Sequence, residues 1–172
     1  MIIHYTAVES PLGRLYLAQH ANGLCCLSLG EGAKDKLFAY INKVFPDAEI
    51  KASKPILKEA ILQLSEYFAG ERTDFDLKMF LSGSEFQKQV WNGLVEIPYG
   101  KTISYGALAT TLNSPGGMRA VAAANGQNPI PIIIPCHRVI AADGSLGGYT
   151  GGLEIKRKLL DLEQQKYTPT LF

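Results

Sequence analysis

The chain has few cysteines and almost no net charge, and each shortage excludes a class of protein. Its cysteines are Cys25, Cys26 and Cys136, an odd set with two adjacent members, so a disulfide framework is not expected and a reducing compartment is. The formal net charge of +1 predicts no strong attraction of the whole molecule to polyanions. Any surface that binds nucleic acid must therefore be a local patch.

Long apolar runs are also missing. The longest covers residues 130–135, whereas a membrane-spanning helix needs about 20 apolar residues. The first five residues lack the basic segment and apolar stretch of a signal peptide. A hydrophobic fraction of 47% is nevertheless sufficient for a packed core. We therefore expect a soluble, cytoplasmic protein that is a monomer and does not bind membranes.

Local patterns in the first 80 residues indicate a small α/β unit. Apolar residues alternate over 14–19, residues 21–23 (Ala-Asn-Gly) supply a turn, and a second apolar run follows over 24–29. Because Asn and Gly tolerate positive φ, this pattern predicts a β-hairpin. Two helices with apolar positions on one face are predicted next, and they end at Pro46 and Gly70.

Residues 70–83 are mixed in composition and predict the join between two domains, with a short strand around residues 75–77. Ser84 and Gln87 then form the pattern of a capping box, which opens a helix with two reciprocal hydrogen bonds. We expect the first domain to cover residues 1–80 and the second to cover residues 81–172.

The second domain contains a helix, a tight turn and another helix. Ser104 is placed to cap a short helix, residues 113–116 form a turn, and residues 119–125 favour a helix that stops at Gly126. This order is typical of the helix-turn-helix, whose second helix enters a DNA groove. Three alanines at 122–124 leave that helix with few base-reading donors, which favours contacts to the DNA backbone and minor groove.

Cys136 follows an apolar run over residues 130–134 and precedes His137 and Arg138. Because a cysteine thiol has a pKa of about 8.5, a nucleophilic cysteine needs a neighbouring base or cation. Neighbouring side chains of a strand point to opposite faces, so contact between Cys136 and His137 requires a turn, which Pro135 favours, or a bridging water. On these residues alone, Cys136 is equally an inert core residue, His137 a satisfied buried histidine and Arg138 the partner of a carboxylate.

Residues 134–140, Ile-Pro-Cys-His-Arg-Val-Ile, resemble the active-site signature of the O6-alkylguanine-DNA alkyltransferases, or methylated-DNA–protein-cysteine methyltransferases. Other segments match that family at the same spacing: Ile103-Ser104-Tyr105-Gly106, Arg119-Ala120-Val121, Asn128-Pro129-Ile130-Pro131, Gly148-Tyr149-Thr150-Gly151-Gly152 and Lys156 to Glu163. The resemblance is close over residues 84–164. It implies a mixed α/β (α+β) fold, with a structural ribonuclease-H-like domain followed by a mostly helical domain that carries the helix-turn-helix.

The resemblance also implies direct reversal of DNA damage. One alkyl group would move irreversibly from O6-alkylguanine in double-stranded DNA, and perhaps equally from O4-alkylthymine, to Cys136 after the damaged nucleotide is flipped out. Glu163, His137 and a water would remove the thiol proton by the general logic of a catalytic triad. Tyr105 would push the nucleotide out and donate a proton or hydrogen bond to the leaving guanine.

Binding roles follow from the same resemblance. Arg119 would enter the vacated stack, on a DNA-binding helix that also presents Ala120 and Ala123. The substrate pocket would take its wall from Tyr149, the amide of Thr150, and the carbonyls of Cys136 and Val139, which accept the exocyclic amine. Asn128 would brace the loop beneath the cysteine. On spacing alone, however, Tyr105 is typical of a core aromatic residue and residues 149–152 of a surface turn.

Three other functions compete with alkyl transfer. A lesion sensor of the same fold would lack the acceptor cysteine, a transcription regulator would need more base-reading side chains, and a thiol hydrolase would use Cys136 and His137 with turnover. No cofactor is expected. No metal is expected either, because Cys25 and Cys26 lack a second ligand pair and only His4 and His20 are nearby candidates.

Overall fold

In the computed structural model, residues 1–115 and 117–165 are described. The chain divides into one unit over residues 1–82 and another that begins at Gly83. Gly116, in the predicted turn, and residues 166–172, at the end of the predicted second domain, lie outside the described residues.

The first unit is built on a four-stranded sheet. Its strands are β1 (Ile2–Ser10), β2 (Gly13–His20), β3 (Gly23–Ser28) and β4 (Glu49–Ala52), in the order β3-β2-β1-β4. The first three are antiparallel and β4 runs parallel to β1. The predicted hairpin is confirmed by the pairing of β2 with β3. Gly23 begins β3 with a φ of 140°, and a Cβ there would lie 2.6 Å from the Lys78 carbonyl oxygen, so glycine is required.

Both predicted helices of this unit are confirmed. They are α1 (Ala33–Val44) and α2 (Lys58–Phe68), and one turn of 3-10 helix (Pro55–Leu57) leads into α2. The apolar face of α1 contributes Leu37 and Ile41 to a core that they share with Ile3 and Ala18 of the sheet.

The strand predicted over residues 75–77 is wrong. Its backbone is bound by a side chain instead of a neighbouring strand: Asp76 N–H donates to Gln63 Oε1 at 2.8 Å, and Gln63 Nε2 donates to the Asp76 carbonyl at 3.0 Å. Pairing with β3 begins only afterwards, at a single bridge between Leu24 and Met79. The glutamine side chain thus satisfies the hydrogen bonds that a strand partner would have made.

The second unit is mostly helical, as predicted. It contains α3 (Glu85–Val95), β5 (Ile103–Ser104), α4 (Tyr105–Thr111), α5 (Met118–Gly126), β6 (Val139–Ile140) and α6 (Leu153–Gln165), and β5 pairs in parallel with β6. The capping box of Ser84 and Gln87 is present, and the Ser104 hydroxyl accepts from Ala107 N–H at 3.1 Å. Among the described residues, no helix is long and apolar enough to cross a membrane.

Helix α5 is held against the unit by its small, buried face. Val121 and Ala124 are buried, and Trp91 of α3 donates its indole N–H to the Ala124 carbonyl at 2.9 Å. The run that follows, residues 130–134, is fully buried as predicted, but it is irregular, because Ile132 has a φ of 74°. A β-branched residue rarely adopts this left-handed conformation. The bend leads the chain towards Cys136.

Candidate active site

Cys136 begins a single turn of 3-10 helix, Cys136–Arg138, which Pro135 precedes with a ψ of 63°. A turn at Pro135 is therefore present, as the sequence favoured. All three residues of the turn are buried, with His137 at 0% exposure. A tight turn places successive side chains around a small arc, so the alternation of a strand no longer separates Cys136 from His137.

Helix α6 brings Glu163 to this turn. Glu163 is 1% exposed, and its Oε1 lies 2.7 Å from His137 Nε2. Arg138 binds both carboxylate oxygens, with Nε to Oε2 and Nη2 to Oε1 each at 2.9 Å. Its Nη1 also donates to the Ile97 carbonyl at 2.6 Å. Arg138 is therefore the partner of a carboxylate, which is one of the two roles that its sequence context left open.

Hydrogen bonding keeps the Glu163 carboxylate ionised. Burial alone would raise its pKa, but the hydrogen bonds and charges of His137 and Arg138 outweigh that cost and hold the pKa at about 2. A bidentate arginine is a strong partner for a buried carboxylate.

His137 is a neutral imidazole in this setting. Burial lowers its pKa more than the attraction of Glu163 raises it. Because the carboxylate can only accept, the Nε2 that faces it carries the proton and Nδ1 is left as an acceptor. Nδ1 is buried and has no hydrogen-bond partner among the described residues. The imidazole therefore offers one unoccupied basic nitrogen inside the unit.

The thiol of Cys136 is protonated at rest. Burial raises its pKa to about 11, against the opposing effects of the Asn128 side chain and the charge of Lys156. A nucleophile with so high a pKa needs a base in the reaction itself. Asn128 also holds the chain before the cysteine, since its Nδ2 donates to the Ile134 carbonyl at 2.7 Å and its Oδ1 accepts from Ile130 N–H at 2.9 Å.

Lys156 has a structural part that the sequence pattern did not reveal. This α6 residue is fully buried, and its ammonium donates to the carbonyls of Val139 at 2.7 Å, Gly148 at 3.1 Å and Leu146. Burial lowers its pKa, and proximity to Cys136 opposes that shift. Three carbonyls compensate the buried charge and tie the loop after β6 to α6. The lysine lay within a matched segment, but no local signal distinguished it from a solvent-exposed helical lysine.

A pocket of about 490 Å³ opens at Cys136. Its lining is mostly small or aromatic and consists of Tyr105, Ala122, Asn125, Gly126, Cys136, Gly148, Tyr149 and Thr150. The structure therefore brings the predicted residues Tyr105, Tyr149 and Thr150 to the cysteine. Thr150 Oγ1 donates to the Gly126 carbonyl at 2.9 Å, which joins the loop to the end of α5.

The loop approaches Tyr105 closely at Gly147. This residue has a φ of 68°, and a Cβ there would lie 3.1 Å from the Tyr105 ring. Burial, with a smaller effect of Cys136, raises the pKa of Tyr105, so its hydroxyl keeps its proton at neutral pH. Tyr105 is thus a protonated donor at the pocket wall and not a core residue.

The predicted DNA-binding residues share an exposed surface of α5. Arg119, Ala120 and Ala123 are all exposed. A second, apolar cleft of about 330 Å³ lies beside them, and its lining consists of Tyr105, Gly106, Met118, Arg119, Ala122, Ala141 and Ala142. Tyr105 and Ala122 thus border both cavities. The Val139 carbonyl, a predicted substrate contact, already accepts from Lys156.

No group of three or more His, Cys, Asp or Glu side chains within the described residues is placed to hold a metal ion. Cys25 and Cys26 are buried free thiols of β3.

Comparison with known proteins follows the two units. Residues 3–81 match the family described as 6-O-methylguanine DNA methyltransferase, ribonuclease-like domain, and residues 85–165 match its DNA binding domain. The methylated-DNA–protein-cysteine methyltransferase of Mycobacterium tuberculosis is 45% identical over 165 residues, which cover 96% of this chain and 94% of that protein. The protein of the same name from Methanosarcina acetivorans is 46% identical over 162 residues, with coverages of 94% and 98%.

A solved structure shares the fold over nearly the whole chain. The crystal structure of Mycobacterium tuberculosis OGT in complex with DNA has a TM-score of 0.81 and 44% identity, and covers 95% of this chain and 94% of that one. The predicted fold class, a ribonuclease-H-like α/β domain followed by a mostly helical one, is confirmed by these matches.

The buried carboxylate predicts an acid-sensitive fold. Because the pKa of Glu163 is lowered to about 2, its contribution to stability is fully present above its ordinary pKa of 4.5 and is lost as pH falls through about 2. The Glu163→Gln variant should lose about 3–5 kcal/mol at pH 7, since Arg138 is left buried without its carboxylate. It should also lose less of its remaining stability than the wild type between pH 4.5 and 2. Urea unfolding across this pH range measures both effects.

The exposed carboxylate of Glu154, which pairs with Lys158 on the surface of α6, provides the matched control. Glu154→Gln should keep the wild-type stability and pH dependence. Equal pH dependence in Glu163→Gln and the wild type would contradict the assignment of the shift to Glu163.

Proposed function

Because the chain belongs to the O6-methylguanine DNA methyltransferase family, we propose that it repairs DNA by direct alkyl transfer from O6-alkylguanine to the sulfur of Cys136. The observation that carries this proposal is the pocket that exposes Cys136 beside the buried His137–Glu163 pair. The C–O6 bond breaks as the C–S bond forms. The product is a stable thioether, so each molecule acts once.

Removal of the thiol proton is the first task. A thiol with a pKa of about 11 is a poor nucleophile at neutral pH. Nδ1 of His137, which is buried and unpartnered among the described residues, takes this proton through a bridging water. The ionised Glu163 then stabilises the imidazolium that forms, and Arg138 holds the carboxylate in place.

Tyr105 assists the leaving group. Guanine departs with the electron pair of the C–O6 bond and is a poor leaving group as an anion. The Tyr105 hydroxyl lines the pocket with Cys136 and keeps its proton, so it donates a hydrogen bond or proton to the departing base. The negative charge that started on the thiolate is thereby neutralised on guanine.

The target atom of O6-alkylguanine lies inside the stacked duplex, so the nucleotide must be flipped out at a cost of a few kcal/mol (about 2–4). The exposed surface of α5 suits this task. Ala120 and Ala123 present little bulk to the minor groove, while Arg119 is long enough to fill the space that the base vacates. Double-stranded DNA with an alkylated base is therefore the proposed partner.

The remaining assignments are coarser. The N-terminal domain, with its thiols buried in the sheet, has a structural role. Free cysteines fit a reducing compartment, so we place the protein in the cytoplasm, as a monomer.

Intact-protein mass spectrometry tests the proposed reaction. The protein is mixed with a duplex that contains one O6-methylguanine, and we expect a gain of one methyl group, roughly 14 Da, that saturates at one per protein because a thioether blocks the nucleophile. Peptide mapping should place the methyl on Cys136, and Cys136→Ser should gain nothing. Binding of the lesion duplex without any mass change would contradict the proposal and favour a lesion sensor.

Replacement of Tyr105 by phenylalanine tests the leaving-group assignment. Tyr105→Phe keeps the ring and removes the donor, so the single-turnover rate of methyl transfer should fall about 100-fold. Affinity for the lesion duplex should change far less. Tyr40→Phe, which removes a buried hydroxyl from the first unit, is the control and should react at the wild-type rate. A Tyr105→Phe protein that also reacts at the wild-type rate would refute a proton-donating role.

A further inference from the structure

The pocket at Cys136 contains a polar side chain with no assigned role, Asn125. Asn125 belongs to α5, is 5% exposed and lines the pocket together with Cys136 and Tyr149. Its Oδ1 is fully buried and has no hydrogen-bond partner within residues 1–115 and 117–165. Other buried amides of the chain are satisfied, as Gln63 and Asn128 show.

An unsatisfied buried acceptor costs about 1–3 kcal/mol. Such a group is rare in a native protein and calls for an explanation. Few polar groups in an otherwise apolar pocket commonly fix the orientation and identity of a ligand. The missing partner of Asn125 is therefore expected on the ligand.

The chemistry of the proposed substrate limits what this partner can be. Alkylation at O6 removes the proton from N1, so the exocyclic amine is the one hydrogen-bond donor left on the base. A carboxamide oxygen can only accept. It can therefore be satisfied by the amine of O6-alkylguanine and by no other group of that base with a methyl substituent.

Two other acceptors have been considered for this amine, and both are already engaged. The Val139 carbonyl accepts from Lys156 Nζ at 2.7 Å, and the Cys136 carbonyl accepts from Val139 N–H. Each keeps one lone pair for a second bond. Of these three acceptors, only Asn125 Oδ1 has no donor within the described part of the chain.

We propose that Oδ1 of Asn125 accepts a hydrogen bond from the exocyclic amine of the flipped O6-alkylguanine and thereby selects guanine lesions. This inference rests on the proposed alkyl transfer and adds a specificity-determining residue to it. Tyr149, whose hydroxyl is also buried at the pocket, does not select in this way, because a hydroxyl both donates and accepts.

The selection extends to thymine. O4-alkylthymine has neither an exocyclic amine nor a protonated N3, so it offers Asn125 no donor. In the pocket it leaves the acceptor buried and unpaired. Asn125 therefore favours O6-alkylguanine over O4-alkylthymine, in the way that a site with a buried polar group rejects an analogue that lacks the matching group.

A substrate-and-variant cycle tests this contact. Single-turnover rates of methyl transfer are measured at saturating DNA for O6-methylguanine and for O6-methylhypoxanthine, which lacks the amine, in the same duplex. Asn125→Leu keeps the side-chain volume and removes the acceptor. The ratio of the two rates should fall about fivefold in this variant relative to the wild type, as expected for one neutral hydrogen bond. The rate on O6-methylhypoxanthine should stay within about twofold, because neither partner of the bond is then present.

Two further variants keep the result interpretable. Asn92→Leu makes the same chemical change on the exposed surface of α3 and should leave the ratio unchanged. Asn125→Ser, with a smaller polar group, should also lower the ratio, and it replaces Asn125→Leu if thermal unfolding shows that the latter is not folded. O4-methylthymine should react no more slowly with Asn125→Leu than with the wild type.

An equal fall of both rates in the Asn125 variants would overturn the inference, since it would mean that the side chain acts without contacting the amine. A wild-type protein that takes no methyl group from O6-methylguanine would instead contradict the proposed function itself. The two failures are therefore separate observations.

Discussion

The buried carboxylate of Glu163 is the interaction on which the rest of the site depends. One side chain from α6 binds His137 and Arg138, which are consecutive residues of the turn that begins at Cys136. Arg138 extends the connection to the Ile97 carbonyl, just after α3. A charge at 1% exposure is tolerable only with such partners. The same contacts therefore fix the fold of the second unit and the protonation state of His137.

Lys156 provides a second anchor from the same helix. Its ammonium holds backbone carbonyls on both sides of the loop that ends at Gly148, next to Tyr149 in the pocket wall. One face of α6 thus carries an anion that organises the nucleophile and a cation that organises the pocket. Because the cation binds backbone oxygens, the loop can keep its course with glycines at positions where side chains would collide, such as Gly147 beside Tyr105.

Local elements were predictable from the sequence because their signals are local. Asn-Gly turns, apolar faces and the Ser84 capping box act over a few residues, and the hairpin and helices formed where these patterns indicated. The strand at residues 75–77 failed because Gln63, thirteen residues earlier, occupies its backbone hydrogen bonds. No pattern within the segment itself could reveal that competitor.

The site shows the same limit more sharply. Pro135 indicated a turn before His137, but only resemblance to a family connected Glu163 with that turn, since 26 residues separate the two side chains. Arg138 remained one of several open interpretations until its carboxylate was located. Lys156 and Asn125 carry no local signal at all, because their parts depend on burial and on which partners the fold supplies or withholds.

The state of the His137 ring tests the central claim most directly. Nitrogen NMR of the labelled protein, recorded from pH 5 to pH 8, reports which ring nitrogen carries a proton. If Glu163 fixes the imidazole and burial lowers its pKa, Nε2 should be protonated and Nδ1 unprotonated at neutral pH, and the ring should resist protonation below the ordinary histidine pKa of 6.5. A proton on Nδ1 at neutral pH, or an imidazolium that forms above pH 6.5, would contradict the account, because no basic nitrogen would then be available to Cys136.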